Sequence, residues 1–287
     1  MAIKGLSIIG ESINDSVPST KKLYEAGNIE GILELARAQD AGGAAFIDIN
    51  VGGRSPDFMA DIVKKVQKVT SKPLSIDTPD MEIARAGLAA YDPALAGGAD
   101  PILNSISELR MAMFDLLKVR RFMPILLVSE RSEGGRHQAN HNAQETYGTA
   151  KRMLAAARAN GLANPKVIFD VGIAPIAGDM EGLLEQTLGA ISLIHGDGDF
   201  AGVHMSLGLS NFTHMLPSKR ADGSPTRGPL ESAFLMKAMP NGLDMVVGSV
   251  KRNYTALDAG HPAVKLLEEL PPLREEEALE RVMEFYS

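Results

Sequence analysis

The stretch FAGVHMSLGLSN, Phe200 to Asn211, begins as an apolar run and ends in glycine, serine and an amide. A strand that finishes this way has used its packing residues and presents polar ones at its C-terminal end. The same ending recurs along the chain. Apolar runs occur at LSIIG (6–10), AFIDIN (45–50), PLSID (73–77), PILNS (101–105), MPILLVS (123–129), KVIFD (166–170), GVHMSL (202–207) and DMVVG (244–248). Eight strands separated by longer helical patterns are the count of a (β/α)8 barrel, an α/β fold.

The intervening segments carry helix signals. In SPDFMADIVKKVQKV, Ser55 is an N-cap with Pro56 at the first helical position, and Phe58, Met59, Ile62, Val63, Val66 and Val69 recur at helical spacing. In DMEGLLEQTLGAISLI, Asp179 is the cap and Leu183, Leu184, Leu188, Ile191 and Ile194 form the apolar face. An open doubly wound sheet uses the same alternation. The barrel is preferred because the repeats are uniform and no G-x-G-x-x-G fingerprint follows the first strand. The expected organisation is a barrel over residues 1–260 and a helical extension over 261–287, split by Pro271 and Pro272 and packed on its outside.

Composition narrows the function classes. The 287 residues contain no cysteine, which removes disulfides and thiolate-bound zinc or iron–sulfur clusters and fits a reducing cytoplasm. No run approaches the ~20 apolar residues of a membrane span, and the apolar run at the start is too short for a secretory core. A net charge of −7, from 29 basic and 36 acidic residues, argues against a nucleic-acid surface. A soluble cytoplasmic protein is expected, with no metal bound by the chain.

In a (β/α)8 barrel the site lies at the C-terminal ends of the strands. Glu11 and Asn14 follow the first strand, Asp48 and Asn50 close the second and Asp77 the third; Asn104 and Ser105 close the fourth, Asp170 the sixth, and Ser210 and Asn211 the seventh. No histidine, lysine or arginine stands at these points. Carboxylates accept from adjacent N–H groups, and amides pair a donor with an acceptor. Such a rim suits a neutral heterocycle with a dense hydrogen-bonding edge. A pterin has that edge; a purine or a sugar would also satisfy the pattern.

The succession GESIN, DINVG, SIDT, LNS, IFDVGIAP and GLSN resembles the pterin-binding methyltransferases that move the methyl group of 5-methyltetrahydrofolate to or from a corrinoid. The resemblance covers residues 6 to about 250, with the motifs in the family's order. It implies a dihydropteroate-synthase-like TIM barrel in which Asp77, Asn104 and Asp170 hold the pterin ring and Asn211 faces the nitrogen that carries the methyl group. Asn14, Asp48, Asn50 and Ser210 complete the pterin-binding set, and Glu11 supports the rim from behind. The chain lacks the D-x-H-x-x-G signature of a corrinoid-binding domain, so the cobalamin must come on a separate corrinoid protein or free. A homodimer is implied as well. Dihydropteroate synthases share the barrel but carry NVTPDS-type residues after the first strand and a serine–arginine–lysine element where this chain has GLSN; that difference favours methyl transfer.

Some residues have plainer readings. Asp77 could cap the helix that follows it, and Asn14 and Asn50 could bond only to their own loops. His137 and His141 have helical spacing, but RSEGGRHQANHN reads as a mobile loop after the fifth strand. His204 reads as a satisfied interior residue, and HGDGD (195–199) as a helix-to-strand turn. Lys219 and Arg220 lie on an expected top-face loop where they could meet a folate's glutamate tail or acidic groups on a partner protein, or simply be solvated.

Overall fold

Each of the eight apolar runs is a strand in the computed structural model, which describes residues 3–287; Met1 and Ala2, the start of the expected 1–260 barrel, lie outside the described residues. The barrel strands are β1 (Ser7–Asn14), β2 (Phe46–Asn50), β3 (Leu74–Asp77), β4 (Ile102–Ile106), β5 (Met123–Leu127), β8 (Ile168–Asp170), β9 (His204–Ser206) and β10 (Met245–Gly248); β6 (Glu130–Glu133) and β7 (Arg136–Ala139) form a separate hairpin. The sheet order is β10-β1-β2-β3-β4-β5-β8-β9, and every pairing in it is parallel. A parallel bridge between Gly208 and Val247 closes the ring, with Val247 N–H donating to Leu207 C=O at 3.0 Å. His204 sits at this seam, its Nδ1 2.6 Å from the Asp244 carboxylate, which also accepts from Met205 N–H at 3.0 Å.

The strand alternation divides the barrel into layers. Ile9, Ile102, Ile125, Ile168 and Met245 point inward and pack with Phe46, Met123 and Val247 as an apolar plug. The alternate residues, among them Ile47, Ile76, Leu103, Leu126, Phe169 and Val246, point outward into the larger core beneath the helices. Successive side chains alternate faces, so the next inward positions above the plug are Glu11, Asp48, Asn104 and Asp170. The change from apolar to polar on one face places the polar set at the C-terminal mouth.

The surrounding helices are α1 (Pro18–Glu25), α2 (Ile29–Ala41), α3 (Pro56–Val66), α4 (Met81–Ala90), α5 (Ala143–Ala159), α6 (Leu183–Gly196), α7 (Leu209–Phe212), α8 (Arg227–Ala238), α9 (Pro262–Glu269) and α10 (Glu275–Tyr286). Ser55 caps α3 as its sequence implies, accepting from Phe58 N–H at 3.2 Å. Asp179 caps α6 from farther away: its carboxylate accepts from the N–H groups of Gly182, Leu183 and Leu184 at 2.7–2.8 Å, and the helix starts only at Leu183. Three donors, that of Leu184 buried and the other two part-buried, lose their acceptor in Asp179→Ala. A loss of ~2–3 kcal/mol, at or above the top of the usual capping range, is expected in urea denaturation at unchanged m-value.

Two segments differ from the sequence reading. The stretch expected as a mobile loop is the β6–β7 hairpin, because Gly134 and Gly135 take positive φ (58° and 78°), the conformation of a tight two-residue hairpin turn. Its His137 lies 3.0 Å from Glu130. After β4 the chain forms 3-10 turns over Glu108–Lys118 instead of an α-helix. Arg110 leaves helical geometry there (φ −125°, ψ 32°) and reaches back to Ser105. HGDGD does connect α6 to β9, with Asp197 accepting from Asp199 N–H and from the Tyr147 hydroxyl. Helices α9 and α10 lie on either side of Pro271-Pro272 and bury Leu266, Leu267, Val282 and Phe285 in the outer core. Among the described residues no helix is long and apolar enough to cross a membrane.

Candidate active site at the barrel mouth

Asp48, Asp77, Asn50 and Asn104 come from three adjacent strands. The register sets Asp48 beside Ser75 and Asp77 beside Asn104. Asp48 is 0 % exposed, and neither of its oxygens has a hydrogen-bond partner; Ser75, Asp77 and Asn104 surround it. Burial, reinforced by the neighbouring Asp77 carboxylate, pushes Asp48 well above the usual carboxylate range. Burial also raises Asp77, but Asn50 Nδ2 donates to its Oδ2 at 2.9 Å and favours its charged form. Within the pair these directions favour the proton on Asp48 and the charge on Asp77, the member nearer solvent. The helix-capping alternative for Asp77 is taken by Asp80, which accepts from Glu82 and Ile83 N–H at 2.8 and 2.9 Å.

A local device repeats around the rim. Asn14 Oδ1 accepts from Ser16 N–H, Asn50 Oδ1 from Gly52 N–H and Asp170 Oδ1 from Gly172 N–H, each at 2.8 Å. Each side chain turns one oxygen back to the backbone two residues on, which fixes its orientation; the other atom faces the mouth at Asn14 and Asp170 and holds Asp77 at Asn50. At Asp170 the device needs glycine: Gly172 has φ 72°, and a Cβ there would stand 2.5 Å from Ser129 Cβ. The second Asp170 oxygen has no hydrogen bond among the described residues. Burial pushes this carboxyl up to about 6 against the relief of the Gly172 bond.

Asp170 lines a cleft of about 370 Å³ with Ser129, Gln186, Gly208 and Asn211. Asn211 does not close the seventh strand itself. β9 stops at Ser206, and Asn211 is carried, exposed, on the short helix α7 with its amide folded over Gly208, where a Cβ would stand 2.9 Å from Nδ2. On its other side Asn211 shares a second cleft of about 610 Å³ with Glu11, Asn14, Ser210, His214, Arg227, Lys251 and Arg252. Ser210 is hydrogen-bonded to Glu11, whose carboxyl burial raises above its ordinary value.

The second cleft corrects the expectation of a rim without basic groups. Lys251 and Arg252 follow β10 in GSVKR, His214 comes from the segment after α7, and Arg227 opens α8. The available signal is the KR pair a few residues beyond the end of the eighth apolar run. Arg220, for which a ligand's acidic tail, a partner's acids and solvent were all open readings, is held by α10: its Nε donates to Phe285 C=O at 2.6 Å and its guanidinium lies 4.7 Å over the Phe285 ring.

Known proteins agree with this architecture. Solved structures similar to it include the dihydropteroate synthase of Xanthomonas albilineans in complex with 7,8-dihydropteroate (15% identity, TM-score 0.56, 93% of this chain and 94% of that one). Another is the Yersinia pestis dihydropteroate synthase with a sulfonamide drug (17%, TM-score 0.55, 92% of each chain). These likenesses establish the fold. Among curated proteins, the methylcorrinoid:tetrahydrofolate methyltransferase of Eubacterium limosum is 24% identical over 247 residues, covering 84% of this chain and 83% of that protein. The family model described as pterin binding enzyme matches residues 13–247, from β1 through β10. A polar mouth on a closed parallel barrel, and a match over most of the chain, place this protein in the pterin-binding enzyme family.

Proposed function

We propose that this enzyme moves a methyl group between 5-methyltetrahydrofolate and the cobalt of a corrinoid carried on a separate protein. The observation that carries the reading is the position of Asn211 on the wall shared by two clefts, one holding the Asp170 acceptor and the other opening past Glu11 to solvent. The name of the Eubacterium limosum relative supports the same chemistry. Asp77, Asn104 and Asp170 take the hydrogen-bonding edge of the pterin, above Asp48. Asn50 keeps Asp77 oriented, and Asn14 and Ser210 border the ring's exposed side. The Lys251 ammonium supplies counter-charge for the acidic tail of the folate, with His214 lining the same cleft, in place of Lys219 and Arg220.

The reaction is a displacement at the methyl carbon. In the direction of cobalt methylation, cobalt(I) supplies the electron pair of the new Co–C bond, the C–N bond breaks with its pair going to N5, and a solvent proton completes the N–H of tetrahydrofolate; cobalt is formally oxidised by two electrons. The leaving nitrogen is poor unless its growing charge is stabilised. An amide is too weak an acid to deliver the proton, but the Asn211 Nδ2–H hydrogen bond strengthens as the C–N bond lengthens. The reverse direction crosses the same barrier.

Mixing the protein with methyl-labelled 5-methyltetrahydrofolate and reduced cobalamin tests the reading. Loss of the cobalt(I) spectrum with label on cobalt is expected. Binding of the folate with an unchanged cobalt(I) spectrum would reduce the protein to a folate binder, and pyrophosphate release from a pterin pyrophosphate with an aromatic amine would make it a synthase. A pH effect also follows. Asp170 accepts from the ring only when ionised, and its carboxyl sits at about 6. Affinity for the folate should be about fourfold weaker at pH 5.5 than at pH 8 from this group alone, measured by calorimetry.

A further inference from the structure

Asn211 lies in a four-residue helix, too short to hold itself. Leu209 and Phe212 anchor it from below, at 0 % and 1 % exposure. The residues flanking Asn211 in the polar direction are each tied to an acid from a different element. Ser210 donates its hydroxyl to Glu11 on β1, and Thr213, wholly buried at the end of α7, donates to Glu231 on α8. Glu231 is 0 % exposed, a rare condition for a glutamate, and the Arg252 guanidinium stands 3.3 Å away. Arg252 also faces Glu11, and the Tyr254 hydroxyl lies beside Glu231. Two carboxyls thus share one cation behind the site, and burial raises both above their ordinary range.

A buried acid of this kind is costly, and truncating one partner of such a pair costs more than the pair is worth. Simple stability would be served better by apolar residues at both places. We infer that Glu11 and Glu231 are positioning residues: acting through Ser210 and Thr213, they clamp α7 from two sides and keep the Asn211 amide aimed across Gly208 into the mouth. The inference rests on the methyl-transfer reading for its kinetic consequence and on the clamp geometry alone for its dynamic one.

Thr213→Val removes the hydroxyl at nearly constant shape, and Thr213→Ser keeps it. Ser210→Ala is the parallel variant on the half-buried side. For Thr213→Val, kcat of methyl transfer should fall about tenfold, the worth of one buried hydrogen bond, with KM for the folate within about twofold. Thr213→Ser should restore kcat, and Thr213→Val should add nothing in an Asn211→Ala background. Independently of any activity, amide hydrogen exchange of residues 208–214 in the ligand-free protein should quicken in Thr213→Val and Ser210→Ala while exchange of the barrel strands is unchanged. Unchanged exchange in both variants would overturn the clamp whatever the enzyme does. An undiminished Thr213→Val effect in the Asn211→Ala background would overturn the link to Asn211. Faster exchange in an enzyme that transfers no methyl group would leave the clamp standing and sink the reaction assigned to it.

Discussion

Asp170→Asn is expected to stabilise the protein and to weaken folate binding sharply. Burial pushes the carboxyl from its ordinary 3.8 up to about 6, so at neutral pH the fold carries an ionised group it disfavours. Each tenfold change in proton affinity is worth ~1.4 kcal/mol, which sets an upper bound of ~3 kcal/mol; because the side chain opens to the cleft, ~1–2 kcal/mol is the expected gain. The asparagine retains the oxygen that accepts from Gly172 N–H. The sign follows from linkage. The folded protein binds this proton more tightly than the unfolded chain does, so the wild-type penalty is present above pH 6 and is lost as the pH falls toward 4. The stability difference between variant and wild type should therefore be largest at about pH 7–8 and vanish near pH ~4, as followed by thermal melts. Binding goes the other way. With its oxygen held on Gly172 N–H, the amide turns an NH2 donor to the ring N–H where the carboxylate offered a charged acceptor, and losing that charge-assisted bond should weaken folate affinity ~10²–10³-fold. A variant gaining stability while losing its ligand marks a residue kept for function.

Asn211→Ala separates differently. Asn211 is exposed, so its removal should change stability by no more than ~0.5 kcal/mol. Single-turnover methyl transfer at saturating folate should fall ~10²–10³-fold, the range for one lost donor to a developing charge, with a much smaller change in the folate dissociation constant. Collapse of affinity with intact single-turnover transfer would make Asn211 a binding residue only. The two variants thus test different roles in one cleft, Asp170 the ground state of the ring and Asn211 the departing nitrogen.

How far the residues alone carry the reading depends on what kind of interaction fixes each part. The barrel is legible because burial on both faces of a parallel strand writes a continuous apolar run, and eight such runs stand between helical patterns. The mouth is legible because Glu11, Asp48, Asn104 and Asp170 each follow an inward-facing apolar residue by two positions, at the point where packing gives way to polarity. The division of labour among them is not. Whether Asp77 or Asp80 caps α4 depends on backbone angles at Asp80, and the raised proton affinity of Asp48 depends on its burial and on Asp77 arriving from the neighbouring strand. Gly134-Gly135 carries both a loop reading and a hairpin reading, and the flanking residues' pairing decides between them. The basic cleft escaped because Lys251 and Arg252 follow a strand whose last residues, Val247 and Gly248, look like ordinary packing. The clamp on α7 joins residues as far apart as 199 positions in the chain, and no local pattern announces it.

The most direct measurement is a crystal structure of this protein with 5-methyltetrahydrofolate. The account predicts the pterin edge within ~3 Å of the Asp77 and Asp170 carboxylates and the Asn104 amide, with Asn211 Nδ2 turned to N5 and the acidic tail running toward Lys251. A ring bound outside the barrel mouth, or one whose N5 faces away from Asn211, would contradict it.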